Sequence, residues 1–309
     1  MKKLLALLLA LAMVGSLAAC STSDTTAPAD DTAGTADTGD TADTTDTADA
    51  ADTGDAADDG AADAPAESDL AYIQDKGTLV VGITNFEPMD YHPEGSDTEW
   101  IGFDADMAKA FAEYLGVEVE FSEINWDYKF MELDARNIDC IWNGMTITDE
   151  VLSSASVSNP YCLNAQVLVV PADRAADFEG LTSLEGYNVA VESGSAGEDA
   201  AIALGAATIP VQAQSNTLLE VSAGTADAAV IDLLMAGAMI GEGTSYADLT
   251  YTLNLNEAQG LESEEYGVGF RQGSDLVDTF NTFWAEKVAD GTVLETATTY
   301  GLQESVILD

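Results

Sequence analysis

The stretch NVAVESGSAGEDAAIALGAATIPVQAQSNTLLEVSAGTADAAVID, residues 188–232, decides the fold. Asn188–Glu192 reads as a buried strand, a helix follows Gly194, Thr208–Gln212 reads as a second strand, Leu218–Ala223 as a second helix and Ala226–Ile231 as a third strand. Strands that alternate with helices imply an α/β unit with a largely parallel sheet. Upstream the same rhythm appears. Leu79–Thr84 is strand-like, and Gly102-Phe-Asp-Ala-Asp106 leads into a helix whose Phe103, Met107, Phe111, Tyr114 and Leu115 recur at helical spacing, with Asp104 placed to cap it. Val117–Ile124 reads as strand, Trp126–Asn137 as helix and Ile138–Trp142 as strand. The globular texture begins at Asp69, and the ~240 residues that follow suit two lobes better than one core.

Before Asp69 the chain is of a different kind. Lys2, Lys3 and the apolar run Leu4–Val14 lead to Leu17-Ala-Ala-Cys20, a secretory signal whose cleavage site ends in cysteine. The run is too short for a membrane span, which needs ~20 apolar residues. The pattern resembles the bacterial lipoprotein box, which implies a signal peptide over 1–20, a lipidated Cys20 and a chain held at the extracellular face of the cell membrane, or the periplasmic side if there are two membranes. Residues 21–68, rich in Asp, Thr and Ala without aromatic or basic residues, read as a disordered acidic linker. A formal net charge of −47, with 9 Lys+Arg against 56 Asp+Glu, argues against nucleic acid as a partner. Cys140 and Cys162 remain as an even pair, either a disulfide or two buried thiols.

Further words stand in a telling order: Gly77–Thr84, Pro88, Gly102–Asp106, Leu115-Gly116, Trp126, Ile138-Asp139, Gly144-Met-Thr-Ile-Thr148, Pro160-Tyr161, Leu184–Gly186, Gly194-Ser195, Asp227–Asp232, Tyr266-Gly267 and Asp290-Gly291. Over nearly all of 70–309 the chain resembles the solute-binding proteins of polar amino acid ABC importers, bacterial extracellular solute-binding protein family 3. The resemblance implies an α/β, periplasmic binding protein-like type II fold. Lobe 1 would span 69–166 and 267–309 and lobe 2 would span 167–266, with ligand in the cleft between them. Crossing strands at Ala165–Val170 and Tyr266–Arg271 would join the lobes. It also implies a monomer that binds a small polar solute, an amino acid or a derivative, by lobe closure and hands it to an ABC permease, without a cofactor.

A free amino acid presents an ammonium, a carboxylate and a side chain, so its site needs acceptors, an anion cradle and a shaped wall. The resemblance places the ammonium on Asp232, whose alternative is to cap the following helix, and further contacts on Asn143, Gly144 and Thr146. Phe86 and Trp126 would form aromatic walls, and Glu192 stands at a wall position that is often apolar in relatives; with Asp232 and Asp90 it hints at a cationic ligand. Where the family usually carries an arginine for the ligand carboxylate, this chain has Val151. The N–H groups of Ser195, Ala196 and Gly197 at a helix start are one substitute; Lys129 is another, unless it lies on a solvated face. A single histidine, His92, and the lack of metal-ligand spacing, nucleophile elbow or phosphate loop give no catalytic or metal residues. Two other readings share these features: a ligand-sensing lipoprotein, and an enzyme on the same fold such as a cyclohexadienyl dehydratase relative.

Overall fold

Twelve strands organise the computed structural model, which describes residues 68–260 and 263–308. The expected signal peptide, Cys20 and all of the linker but Ser68 lie outside the described residues. In chain order the strands are β1 (Thr78–Ile83), β2 (Glu118–Glu123), β3 (Cys140–Ile141), β4 (Ser156–Val157), β5 (Cys162–Asn164), β6 (Gln166–Pro171), β7 (Asn188–Glu192), β8 (Ala207–Val211), β9 (Ala228–Asp232), β10 (Leu249–Asn254), β11 (Glu264–Tyr266) and β12 (Gly269–Phe270). They form two five-stranded mixed sheets, ordered β2-β1-β3-β12-β4 and β10-β6-β9-β7-β8, and a two-stranded ribbon of β11 and β5. β1 pairs in parallel with β2 and β3, and β7 with β8 and β9, as helical crossovers require. The ribbon β5–β11 is where the chain leaves the first sheet and returns to it. The crossing therefore lies just upstream of the expected segments: Gln166–Val170 belongs to the second sheet and Gly269–Phe270 to the first.

The first sheet packs against the helix Phe103–Leu115 and the C-terminal helices Leu276–Asp290 and Thr292–Thr299. Phe103, Met107, Phe111 and Leu115 point into this core as their spacing predicts, whereas Tyr114 stays 42% exposed at its edge. Trp142, Tyr161, Phe280 and Trp284 extend it, with ring centroids 5.0 Å apart for Trp142–Phe280 and 5.2 Å for Tyr161–Trp284. Leu168, Val170, Val189, Val191 and Val230 fill one side of the second sheet.

Three expectations change on this scaffold. Asp104 does not cap its helix, because Gly102 occupies the cap position and the carboxylate turns inward to accept from the Gly144 N–H (2.8 Å) and the Tyr161 hydroxyl (2.7 Å). Cys140 and Cys162 are free thiols, each packed in the core of the first sheet, so the disulfide alternative falls. The span Trp126–Asn137 is not one helix. Asn125 accepts from the Asp127 N–H to start a 3-10 turn at Trp126–Tyr128, the α-helix Lys129–Asp134 follows, and Arg136 at φ 61 ends it.

Candidate functional site

The parallel strands of both sheets aim their carboxyl ends at one cleft, the place where open α/β sheets gather ligands. All nine residues expected at a ligand site line it: Phe86, Trp126, Asn143, Gly144, Thr146, Glu192, Ser195, Ala196 and Asp232. The empty space among the lining residues, including the mouth, is about 530 Å³. Lys129, Glu150, Val151, Gln166, Asp199 and Gln214 join them.

On the side of the first sheet, the Asn143 and Thr146 side chains are already hydrogen-bonded, whereas Asp90 Oδ1 and Asp104 Oδ1 beneath them have no partner among the described residues. Asn143 accepts from the Thr84 N–H (3.0 Å) and hydroxyl (2.8 Å) and donates to the Thr84 carbonyl (3.0 Å) and Asp90 (2.7 Å), so its amide positions the loop and has little left for a ligand. Gly144 adopts φ 56, and a Cβ there would stand 2.6 Å from Phe86 Cε1. Phe86 meets Tyr266 edge to face at 6.4 Å. The Thr146 hydroxyl donates to Glu264 (3.1 Å). Beneath this floor, burial pushes the Asp104 carboxyl up to about 7, and burial with the Asp104 charge raises Asp90 well above the usual carboxylate range. Val151, where the resemblance led one to look for an arginine, is a buried apolar wall packed with Ile124, Trp126 and Leu133.

On the side of the second sheet, Asp232 ends β9 at the cap position of the helix Leu233–Met239 but makes no side-chain cap bond. Its carboxylate accepts from Asn164, Gln166 (2.9 Å), Gln214 and the Tyr266 hydroxyl (2.9 Å). Three of these donors share Oδ1, so the acceptor capacity left for a ligand lies on Oδ2. Burial, then the Glu264 charge, pushes the Asp232 carboxyl up to about 7. Glu192, only 4% exposed at the end of β7, has an Oε1 atom with no partner among the described residues, as has Gln166 Oε1. Burial and the Asp232 charge push Glu192 up to about 8.

The helix Ala196–Ala203 begins with Ser195, whose hydroxyl accepts from the Glu198 N–H (3.1 Å) while Glu198 accepts from the Gly194 N–H (2.8 Å), a relative of the capping box. The Ser195 N–H, expected in the anion cradle, is directed instead to the Glu192 carbonyl (3.3 Å). Ala196 and Gly197 keep N–H groups without an acceptor among the described residues. Lys129 is not solvated: it is 5% exposed, and its ammonium donates to the carbonyls of Trp126 (3.3 Å) and Gly194 (2.9 Å). Gly194 comes so close to the other side that a Cβ on it would stand 2.8 Å from Asp127 Cα.

Two α/β lobes around a cleft lined by acceptors and donors define a binding protein of the type II periplasmic class. The chain belongs to the bacterial extracellular solute-binding proteins, family 3, whose profile matches residues 79–303. Its relatives are amino-acid-binding proteins of ABC importers. Among them is the L-cystine-binding protein TcyJ of Escherichia coli K12, 26% identical over 230 residues, covering 74% of this chain and 84% of the relative. Among solved structures, a mutant of ArgBP from T. maritima is 29% identical with a TM-score of 0.67, covering 75% of this chain and 98% of the other. The ancestral amino acid-binding protein AncCDT-1, described as a precursor of cyclohexadienyl dehydratase, is 28% identical with a TM-score of 0.66, covering 75% and 99%.

Proposed function

We propose that this protein is the extracytoplasmic substrate-binding lipoprotein of an ABC importer, tethered through lipid on Cys20 and a linker over 21–68, and active as a monomer. It takes a small polar solute, an amino acid or a derivative, into the cleft. Two bodies, 69–166 with 267–309 and 167–266, close over the solute, and the closed form presents it to a permease. The observation that carries this reading is a pair of buried acceptors without partners among the described residues, Glu192 Oε1 and Gln166 Oε1, in a cleft lined by all nine expected residues. Buried acceptors without donors are costly, and a ligand ammonium or guanidinium supplies the donors. Glu150, Glu192, Asp199 and Asp232 line the cleft against one lysine; a ligand with a cationic side chain would favour the ionised forms of Glu192 and Asp232, whose pKa values burial holds up at about 8 and 7.

The test is thermal unfolding of the purified protein against free L-amino acids, including arginine, histidine and cystine, alongside polyamines and small carboxylates. Ligand at a thousandfold excess over Kd stabilises by about 4 kcal/mol, so binding is visible as a shift in Tm. Stabilisation by free amino acids is expected; none by any of them overturns the reading. One observation favours a second reading. Glu192 and Asp232 are adjacent cleft acids held near neutrality, a pairing suited to acid–base chemistry on this fold. Turnover of a bound solute, followed by chromatography, would establish it.

A further inference from the structure

The inference concerns Lys129 and rests on the reading of the cleft as an amino-acid site. Residues 68–308 contain seven Lys and Arg side chains. Six of them, Lys76, Lys109, Arg136, Arg174, Arg271 and Lys287, lie within 4.0 Å of a carboxylate. Lys129 is the exception among the described residues, although it stands in a chain with 56 Asp and Glu. A buried ammonium loses hydration, and the usual compensation is a carboxylate partner. Here burial instead depresses the Lys129 pKa, partly offset by the more distant charges of Glu150, Glu192, Asp127 and Asp199. The side chain is held in place all the same. Its Nζ lies 5.1 Å from the Trp126 ring centroid and 4.9 Å from that of Phe130, and two of its three hydrogens reach the Trp126 and Gly194 carbonyls. Among the described residues its third hydrogen has no acceptor and its charge no carboxylate within 4.0 Å.

What lies around it defines the missing partner. Gly194 leads into the helix Ala196–Ala203, whose unaccepted Ala196 and Gly197 N–H groups line the same cleft, at the positive end of the helix dipole. The cleft therefore offers donors, Lys129 and two amide hydrogens, and acceptors, Glu192 Oε1 and Gln166 Oε1. An α-amino acid carries the complementary pair of charges within one small frame. We infer that Lys129 is the specificity-determining residue that receives the ligand's carboxylate, in an ion pair completed only when ligand is seated, with the Ala196 and Gly197 N–H groups as further donors.

A competing role for the same side chain is a latch that holds the two sides together through the Gly194 carbonyl and is indifferent to ligand charge. Calorimetric titration of the purified protein separates the two. The probes are L-arginine, L-histidine and L-cystine, each beside its carboxamide, for wild type, Lys129→Met and Lys129→Arg. The expected result is that Lys129→Met weakens the free acid by about tenfold or more while the amide changes by less than about twofold, and that Lys129→Arg keeps the preference for the acid. Equal loss of acid and amide, or no loss of either, overturns the inference while leaving the amino-acid reading intact. Binding of none of the probes to wild type overturns that reading and the inference with it. Thermal unfolding without ligand checks that each variant folds. Should Lys129→Met unfold, Lys129→Gln takes its place under the same criteria, since it removes the charge and retains donors.

Discussion

The two walls of the cleft are built on opposite principles. On the wall from the first sheet, Asn143 is fully hydrogen-bonded, the Gly144 N–H meets Asp104, Thr146 meets Glu264, and Phe86 and Val151 are packed apolar surface. The wall from the second sheet carries Glu192 Oε1 and Gln166 Oε1 without donors, and Ala196 and Gly197 N–H without acceptors, among the described residues. Apart from Lys129, which it contributes and whose third hydrogen lacks an acceptor among the described residues, the first wall is a finished platform. The other has hydrogen bonds still to be made, so on the proposed reading a ligand's favourable exchange is concentrated there and, with Lys129, favours closure. Lys129 apart, preorganisation and incompleteness are thus divided between the two walls.

The largest effect should come from breaking the finished wall. Gly144→Ala forces a left-handed residue and drives its methyl into Phe86, 2.6 Å away. Strain and overpacking together are expected to cost about 3–5 kcal/mol in denaturant unfolding, with ligand binding lost in parallel. An unchanged midpoint would mean that the floor is adaptable and the contrast between walls is false.

Completing the unfinished wall should have the opposite sign. Glu192 has a folded pKa of about 8 against an ordinary 4.5, so between those values the folded protein binds more protons than the unfolded chain. Its contribution to stability therefore falls as pH rises through that window and is lowest above pH 8. Glu192→Gln removes the titration. The unliganded protein should gain on the order of 3 kcal/mol at pH 8 and little at pH 4.5, while affinity for a cationic amino acid declines. Stability profiles of both proteins across pH 4.5–8.5 read the difference. A smaller effect is expected of Gly194→Ala. At φ 72 the alanine carries about 1–2 kcal/mol of strain of its own, and its Cβ, 2.8 Å from Asp127 Cα, would push the two sides apart, weakening every ligand, acid or amide, by about tenfold in calorimetric titration.

The difference between the walls also marks what was legible in the residues. β7 was readable to its ends, and the buried stripe of the helix Phe103–Leu115 followed from spacing alone, because burial on one face imposes a period. Each expected ligand residue reached the cleft, since each stands at or just beyond a strand end, at a helix start or in a neighbouring loop. Gln166 and Gln214 were missed. Glutamine carries no local signal, and the helix read from Leu218 begins at Gln214. Their convergence on Asp232 depends on the antiparallel register that sets Gln166 opposite Asp232, a long-range fact that pairing of β6 with β9 would have disclosed. The burial of Lys129 was equally invisible. It arises because Gly194, from the other sheet, covers the ammonium, and periodicity along one helix carries no information about a facing lobe.

Ser195 offers the smallest and most discriminating test of the division. It lies on the unfinished wall, yet its hydroxyl already accepts from the Glu198 N–H and its own N–H reaches the Glu192 carbonyl. If donors and acceptors without partners are what bind ligand, the Ser195 side chain belongs functionally to the finished kind despite its place. Ser195→Ala should then cost about 1 kcal/mol of stability, the usual value of a lost helix cap, and change ligand affinity by less than about twofold. Ser195→Asp keeps a capping oxygen but adds a negative charge beside the Ala196 and Gly197 N–H groups. It should hold stability near wild type while weakening a free amino acid more than its amide. A large affinity loss in Ser195→Ala with stability unchanged would place the hydroxyl on the ligand, and the boundary between the walls would have to be redrawn through the helix start.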